Sequence, residues 1–247
     1  NRTDKMEARF EFRTLRYLKV YTFANQEKVE VTNDYYFKQQ IDENTIVNDQ
    51  DYTFSNLGVE LRYAFKEKVI KTLGTTFAKA TTYPIIYAKI EQGTTLLDGE
   101  FEYTRYAVKA EKKFYIKNMG RSGFSVETGL IEGNVPQHKL NSSIGTNKSF
   151  DLSWTKRLLN VSSENVFETM QPYEFFSSKY VHFHFRHSFG SLLFSIKKFK
   201  PEVVLTSSAG FGSLSNVKAH GGVAFKTMEK GYYESGILLR NLLQINT

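Results

Sequence analysis

The fold class of this chain follows from one stretch of its sequence, Gly58-Val59-Glu60-Leu61-Arg62-Tyr63-Ala64-Phe65-Lys66. Every second residue in it is apolar, and the residues between them are charged or small. Because successive side chains of a β-strand point to opposite faces, this alternation predicts a strand with one apolar and one polar face. A sheet of such strands either packs its apolar face on a second sheet or closes into a barrel whose apolar face meets lipid.

The same alternation recurs in other long runs. Residues 100–117 alternate for most of their length, well beyond the about 5–6 residues of a typical globular strand. Strands that cross a membrane at a tilt need about 9–11 residues, so the run lengths favour a membrane barrel.

Polar turns are predicted at 25–27 and 118–121. The segment 160–176 predicts a short helix or folded turn, because its apolar residues recur about every third position.

The composition limits the class of protein further. The chain has 247 residues, 40% of them hydrophobic, with 21 Phe, 15 Tyr and no cysteine. Its apolar runs are far shorter than the about 20 residues of a membrane helix, and a disulfide framework or a cysteine-based metal site is excluded. Phe and Tyr suit a pleated surface, and Tyr also suits a membrane interface. With no linker rich in Pro, Gly or Ser, residues 1–247 are expected to form a single domain.

The net charge of +7 has two readings. An anionic partner such as lipopolysaccharide, nucleic acid or an acidic solute would explain it. A solvated face with spare lysines would explain it as well. The second reading is favoured, because the lysines are spread along the sequence rather than gathered in one run.

The densest polar site lies on one predicted strand, where alternate residues share a face. Its members are Tyr180, His182, His184 and Arg186, and the residues between them are mostly apolar. In a barrel this set would point into the lumen. His182 and His184 could then bind a metal ion or act as the base of a hydrolase with one of the many serines. A zinc site would need a third ligand from a neighbouring strand, so a hydrogen-bonded network is the favoured reading and no metal or cofactor is expected.

The remaining site predictions follow from the same alternation. Other lumenal charges are expected at Glu60, Arg62, Lys66, Arg105 and Lys109, where they would pair across strands or tune the passage of solutes. Lipid-facing side chains are expected at Val59, Leu61, Phe65, Val181, Phe183, Phe185 and Phe189. No established catalytic motif is present, neither G-x-S-x-G nor H-E-x-x-H nor a P-loop, so no catalytic residue is predicted.

Two blocks of sequence carry a resemblance to a known family. The first is Gly129-x-x-x-Gly133-x-Val135-Pro136, and the second is Tyr173-Glu174-Phe175-Phe176-Ser177. With this order of elements, the chain resembles an uncharacterised outer-membrane β-barrel family of Bacteroidota, whose members usually carry an N-terminal carboxypeptidase-regulatory-like domain. The family is distantly BamA-like.

The resemblance implies an all-β, antiparallel transmembrane β-barrel in the outer membrane of a Gram-negative bacterium. It also implies a partial chain that lacks the family's N-terminal sandwich, its first barrel strands and its last strands. The family offers no catalytic residues to carry over. Its residues that match here are Gly129, Gly133, Pro136, Tyr173, Glu174 and Phe175.

Four functional hypotheses remain. The first is a non-enzymatic outer-membrane barrel that serves as a scaffold or as a component of an envelope assembly or transport complex. Its partners would be outer-membrane lipid, lipopolysaccharide and other envelope proteins, with no nucleic acid. The alternatives are a diffusion channel for anionic solutes, a lumenal hydrolase that uses His182 or His184, and a soluble all-β binding module.

Overall fold

The protein is all-β, as the alternation predicts. The computed structural model describes residues 2–42, 45–49, 51–72, 75–143, 145, 165–193, 200–224 and 226–241, and within them the elements are β-strands and single turns of 3₁₀-helix. No helix in these ranges is long and apolar enough to cross a membrane.

The strands follow in chain order. They are β1 (Arg2–Leu15), β2 (Leu18–Glu30), β3 (Tyr36–Asp42), β4 (Thr45–Asp49), β5 (Asp51–Ala64), β6 (Lys68–Thr72), β7 (Thr75–Ala80), β8 (Ile85–Thr94), β9 (Tyr103–Ile116), β10 (Gly120–Glu132), β11 (Asn141–Ser142), β12 (Phe176–Ser177), β13 (Lys179–Gly190), β14 (Glu202–Ser213), β15 (His220–Gly221) and β16 (Met228–Arg240). The turns of 3₁₀-helix are Leu96–Asp98, Gln137–Lys139 and Val217–Ala219.

One large sheet contains nine of these strands in the order β1-β2-β5-β8-β9-β10-β13-β14-β16. Each neighbouring pair is antiparallel, and most strands have 12 to 14 residues. The antiparallel prediction is therefore confirmed. In the described residues β1 and β16 form the two edges of the sheet and do not pair with each other.

The register separates two faces along the whole sheet. One row from β2 to β16 reads Leu18, Tyr63, Ile86, Ala110, Val126, Phe183, Ala209 and Tyr233. The row beside it, on the other face, reads Lys19, Arg62, Tyr87, Lys109, Glu127, His182, Gly210 and Tyr232. We name these the apolar face and the polar face.

The hydrophobic core lies on the polar face at one end of the sheet, where the longer connections fold inward. We call this the core end. Its members include Val29, Tyr35, Phe37, Tyr52, Phe54, Phe101, Tyr103, Ile131, Val135, Leu140, Phe176 and Leu214. The opposite end, the turn end, carries the tight connections at residues 16–17 and 117–119.

Two of the predicted turns can now be judged. The turn predicted at 118–121 is confirmed within two residues, since the connection is 117–119. The turn at 25–27 is wrong, because these residues lie inside β2, and the chain reverses instead at Arg16 and Tyr17. Asn25 and Glu27 are polar because they lie on the polar face, where Asn56 donates to Asn25 Oδ1 at 2.8 Å. In a sheet with one polar face, polarity alone does not mark a turn.

The segment predicted as a helix or folded turn is a folded turn where it is described. Residues 165–175 contain turns and bends but no helix, while 160–164 lie outside the described residues. Phe167 and Met170 are fully buried and pack together with Met228. The segment therefore packs its own apolar side chains against the end of β16.

Candidate functional site

The predicted polar row of β13 lies on the polar face of the sheet. Tyr180 donates to Glu127 Oε1 at 2.9 Å, and its ring lies against that of His182. His182 Nε2 lies 3.1 Å from the hydroxyl of Ser143. The structure thus brings the members of the row onto one face, as predicted, and gives each of them a partner.

The second half of the row is equally engaged. The hydroxyl of Ser208 lies 2.9 Å from His184 Nδ1, and Arg186 forms a 3.6 Å ion pair with Glu168. The ring of Phe167 covers both imidazoles, with centroid distances of 5.4 Å to His182 and 4.9 Å to His184. Both histidines are buried beneath Phe167, and His184 also lines one of the cavities described below.

A carboxylate of β16 holds the covering segment in place. Glu234 accepts hydrogen bonds from the backbone N–H of Glu168 at 2.8 Å and of Thr169 at 2.9 Å. The Thr169 hydroxyl donates to the same carboxylate at 2.7 Å. Because three donors converge on one charged acceptor, Phe167 is fixed above the two histidines.

The network offers limited chemistry. A serine hydrolase needs a nucleophile bonded to a histidine that a third group orients. His184 and Ser208 form such a pair, but within the described chain no carboxylate hydrogen bonds to either His182 or His184. No group of three or more His, Asp or Glu side chains in the described ranges is arranged to hold a metal ion.

A second network, centred on Glu27, was missed by sequence reasoning. His138 Nε2 lies 2.6 Å from one oxygen of this carboxylate, and Lys139 Nζ lies 2.5 Å from the other. Burial lowers the pKa of Lys139, and Glu27 opposes this effect, while the ring of Phe54 lies 4.7 Å below the ammonium group. The connection after β10 is therefore locked to β2. Two basic residues beside a conformationally stiff Pro136 were the available signal in the sequence.

A third network joins the middle strands. The Tyr103 hydroxyl lies 2.7 Å from both Asn56 Oδ1 and Glu91 Oε1. Lys89 pairs with Glu91 at 2.9 Å and with Glu60 at 3.5 Å. The polar groups here are buried or half-buried, and each satisfies its neighbour across strands.

The predicted lumenal charges mostly take part in such pairs. Arg9 of β1 reaches Glu60 across the ring of Tyr21. Arg62 pairs with Glu67 at 2.5 Å, and Lys109 pairs with Glu111 at 3.2 Å. These contacts cancel most of the local charge.

Two of the predicted lumenal charges differ in their surroundings. Arg105 lies on the polar face and faces the cavity that also contains Glu91 and Lys139. Lys66 lies outside β5, in the turn that follows it, with φ of 51°. Its ammonium group lies over the rings of Phe65 and Tyr83 instead of on the polar face. The alternation was extended two residues too far, because a strand pattern alone does not mark where a strand ends.

Five of the seven predicted lipid-facing residues, namely Val59, Leu61, Val181, Phe183 and Phe185, lie on the apolar face. Val59, Leu61, Val181 and Phe183 are each about 40% exposed although they are large and apolar. Phe185 continues the same row on β13. Phe65 follows the end of β5 and packs on Tyr83, and Phe189 packs edge-on against His187.

The residues of the first block that carries the resemblance lie at the end of β10 and in the connection that follows it. The ring of Tyr180 lies so close to the Gly129 backbone that a Cβ at this position would collide with it. Gly133 has φ of 109°, a backbone conformation that favours glycine. Pro136 is fully buried and precedes the helical turn Gln137–Lys139.

The second block forms the end of the covering segment. Glu174 accepts a hydrogen bond from the Gln171 N–H at 3.0 Å and pairs with Lys226 at 3.0 Å. Burial raises the pKa of Glu174, but these two contacts together hold it below its ordinary value. Phe175 packs on Tyr232, whereas Tyr173 is largely exposed.

Three cavities open on the polar face. The largest, about 760 Å³, lies over β1, β5, β8 and β9 and is lined by Arg9, Glu60 and Lys109 among others. A second, about 540 Å³, is lined by His184, Ser208 and Glu234. The third, about 300 Å³, separates β1 from Lys139.

No family model matches the sequence, and no curated protein matches it significantly.

Proposed function

We propose that this chain forms the wall of a transmembrane β-barrel in the outer membrane of a Gram-negative bacterium. There it serves as a non-enzymatic scaffold, within an envelope assembly or transport complex. The observation that carries the proposal is the apolar face, which stays exposed over nine neighbouring strands.

In water, the apolar face would expose a large contiguous hydrophobic surface. Exposed side chains such as Ile90, Tyr106, Val108, Ile237 and Leu239 keep between 38% and 69% of their surface accessible. Contiguous exposed apolar patches larger than a few hundred Å² mark protein or membrane contacts. Within the described residues no second sheet covers this face. A bilayer is the partner that suits an apolar surface repeated along every strand.

The strand lengths support the same proposal. Strands of 12 to 14 residues exceed the about 9–11 that a tilted strand needs to cross the hydrocarbon core. The antiparallel ladders satisfy the backbone groups that lipid could not.

The polar face favours a scaffold over the alternatives. Of the predicted lumenal cations that a channel for anionic solutes would use, Arg62, Lys109 and Arg186 form ion pairs with glutamates. The histidines expected to serve a hydrolase are covered by Phe167. A face filled with satisfied pairs gives rigidity, which suits a wall that other proteins contact.

The test uses the absence of cysteine, which allows single labels to be placed without background. Spin labels are attached to cysteines replacing Tyr106, Ala107, Val108, Lys109 and Ala110 of β9, one at a time, in lipid vesicles. We expect lipid-soluble oxygen to relax the labels at 106, 108 and 110, and a water-soluble nickel complex to relax those at 107 and 109. Equal access of the nickel complex to all five positions would refute membrane insertion.

The scaffold half of the proposal needs a separate measurement. The protein is purified from outer-membrane fractions in mild detergent, and co-purifying proteins are identified by mass spectrometry. Stoichiometric recovery of other envelope proteins is expected. A membrane-inserted chain that is recovered alone would overturn the scaffold role while leaving the barrel intact.

A further inference from the structure

Several basic residues that are far apart in the sequence lie together at the turn end of the sheet. Because neighbouring strands run in opposite directions, the tight connections 16–17 and 117–119 lie at the same end as the start of the longer connection 65–84. The cations there that lie in the connections or on the apolar face form a set that we name the basic rim: Arg16, Lys66, Lys112 and Lys117. Three of the four are exposed, and Lys112 is half-buried.

Three carboxylates close to the basic rim pair with cations outside it, while Glu202, also at the turn end, accepts a hydrogen bond from Ser188 at 2.5 Å. Glu11 pairs with Lys19 at 2.9 Å. Glu67 pairs with Arg62, and Glu111 with Lys109. These partners lie outside the basic rim, so the rim keeps its positive charge. At the core end, by contrast, the cations are interspersed with acidic residues: Glu30, Asp34, Asp51, Asp98, Glu100 and Glu132.

Aromatic rings lie among the cations of the basic rim. Arg16 lies 5.5 Å from the ring centre of Tyr17, and Lys112 lies 5.9 Å from that of Phe114. Tyr17 packs edge-on against Phe65 at 5.3 Å. Aromatic rings with Lys or Arg beside them are typical of the level at which lipid headgroups meet the hydrocarbon core, where long basic side chains extend toward the phosphates.

We infer that the basic rim binds the phosphate groups of anionic phospholipids in the leaflet beside the turn end. The inference rests on the proposed membrane insertion and names the lipid that the wall contacts. Short turns lie on the periplasmic side of barrels of this kind, where the leaflet consists of phospholipid. Each Lys or Arg near an anionic surface contributes about 1 kcal/mol, so the rim would select anionic over neutral lipid.

The experiment compares three full-length proteins in nanodiscs of equal parts phosphatidylcholine and phosphatidylglycerol. They are the natural chain, a rim variant with Lys66→Gln, Lys112→Gln and Lys117→Gln, and a matched control with Lys28→Gln, Lys218→Gln and Lys230→Gln. The control removes the same charge from exposed positions at the core end. Lipids that stay bound are counted by native mass spectrometry.

We expect phosphatidylglycerol to be enriched about fivefold on the natural chain and on the control, and to fall to its bulk share on the rim variant. Replacing the same three lysines by arginine should keep the enrichment. This variant distinguishes a loss of positive charge from a folding defect caused by substitution at these positions. Equal enrichment on the rim variant and the control would overturn the inference. Loss of enrichment on adding inorganic phosphate, but not on adding sodium chloride to the same ionic strength, would point to a soluble phosphate site and would overturn it as well. Failure of the natural chain to enter nanodiscs of either lipid would instead remove the proposed membrane insertion.

Discussion

The two faces of the sheet differ in where their side chains find interaction partners. On the polar face, Glu27, Glu91 and His182 are buried and each has a partner within the chain. On the apolar face, Phe183 and Ile237 are large and exposed, and the described residues do not cover them. The polar face therefore completes its interactions internally, whereas the apolar face depends on the surrounding medium. Mutations on the first face should act in any medium, and those on the second should act only in lipid.

The largest effect is expected where the polar face buries a charge pair. Glu27→Gln leaves the buried Lys139 without its carboxylate, and breaking such a pair costs about 3–5 kcal/mol of unfolding free energy. Urea titration followed by tryptophan fluorescence or circular dichroism measures it. The double variant Glu27→Gln/Lys139→Met removes both charges and should recover most of the loss. A single variant as stable as the natural chain would contradict the buried pairing.

The next effect separates the two faces directly. Phe183→Arg places a charge in the middle of the apolar face and should cost about 2–4 kcal/mol in a bilayer. Thr206→Arg is the control on the polar face, where it adds the same charge opposite Arg186 in a cavity that Glu168, Glu202 and Glu234 also line. Urea unfolding from lipid vesicles compares the two. If both variants lose the same stability, the apolar face does not meet lipid.

A smaller and pH-dependent effect is expected at the core end. Burial lowers the pKa of His220 to about 4, from 6.5 in the unfolded chain, and the Tyr35 hydroxyl lies 2.9 Å from its Nδ1. The unfolded chain therefore binds more protons between these values. Stability is full above pH 6.5 and falls by up to about 3 kcal/mol as the pH drops to 4. The measurement is the difference in unfolding free energy between the natural chain and His220→Asn across this range. A constant difference would contradict the neutral buried histidine.

The smallest effect is expected at the exposed edge of the polar face. Arg9 and Glu60 form an ion pair whose members are 45% and 29% exposed, and such pairs contribute about 0–1 kcal/mol. Arg9→Gln should therefore change the unfolding free energy by less than about 1 kcal/mol, and less still in high salt. A larger loss would mean that β1 is anchored chiefly by this pair.

Much of the fold could be predicted from period-two alternation alone. The alternation of Val181, His182, Phe183 and His184 fixes which side chains share a face, because each strand has two faces and no third choice. The same reasoning failed at Lys66, since alternation continues in the sequence past the end of β5. It also failed at residues 25–27, where polar residues face the polar side of the sheet instead of forming a turn.

The contacts across the sheet could not be predicted in this way. Glu27 and His138 are separated by 111 positions, and their pairing depends on the register of β2 and β10 and on the inward fold of the connection between them. The residues of the basic rim likewise come together because their connections lie at one end of the sheet. Sheet topology determines this, and no local sequence pattern shows it.

The number of strands in the large sheet determines the relative direction of its two edge strands. In a meander of nine antiparallel strands, β1 and β16 run the same way. If these two edges joined directly, the seam would be the single parallel pair in an otherwise antiparallel wall, with evenly spaced and slanted hydrogen bonds. A seam of the same antiparallel kind requires an odd number of further strands between them. Two copies of the chain in the same orientation would not supply it, because each junction would again join strands of equal direction.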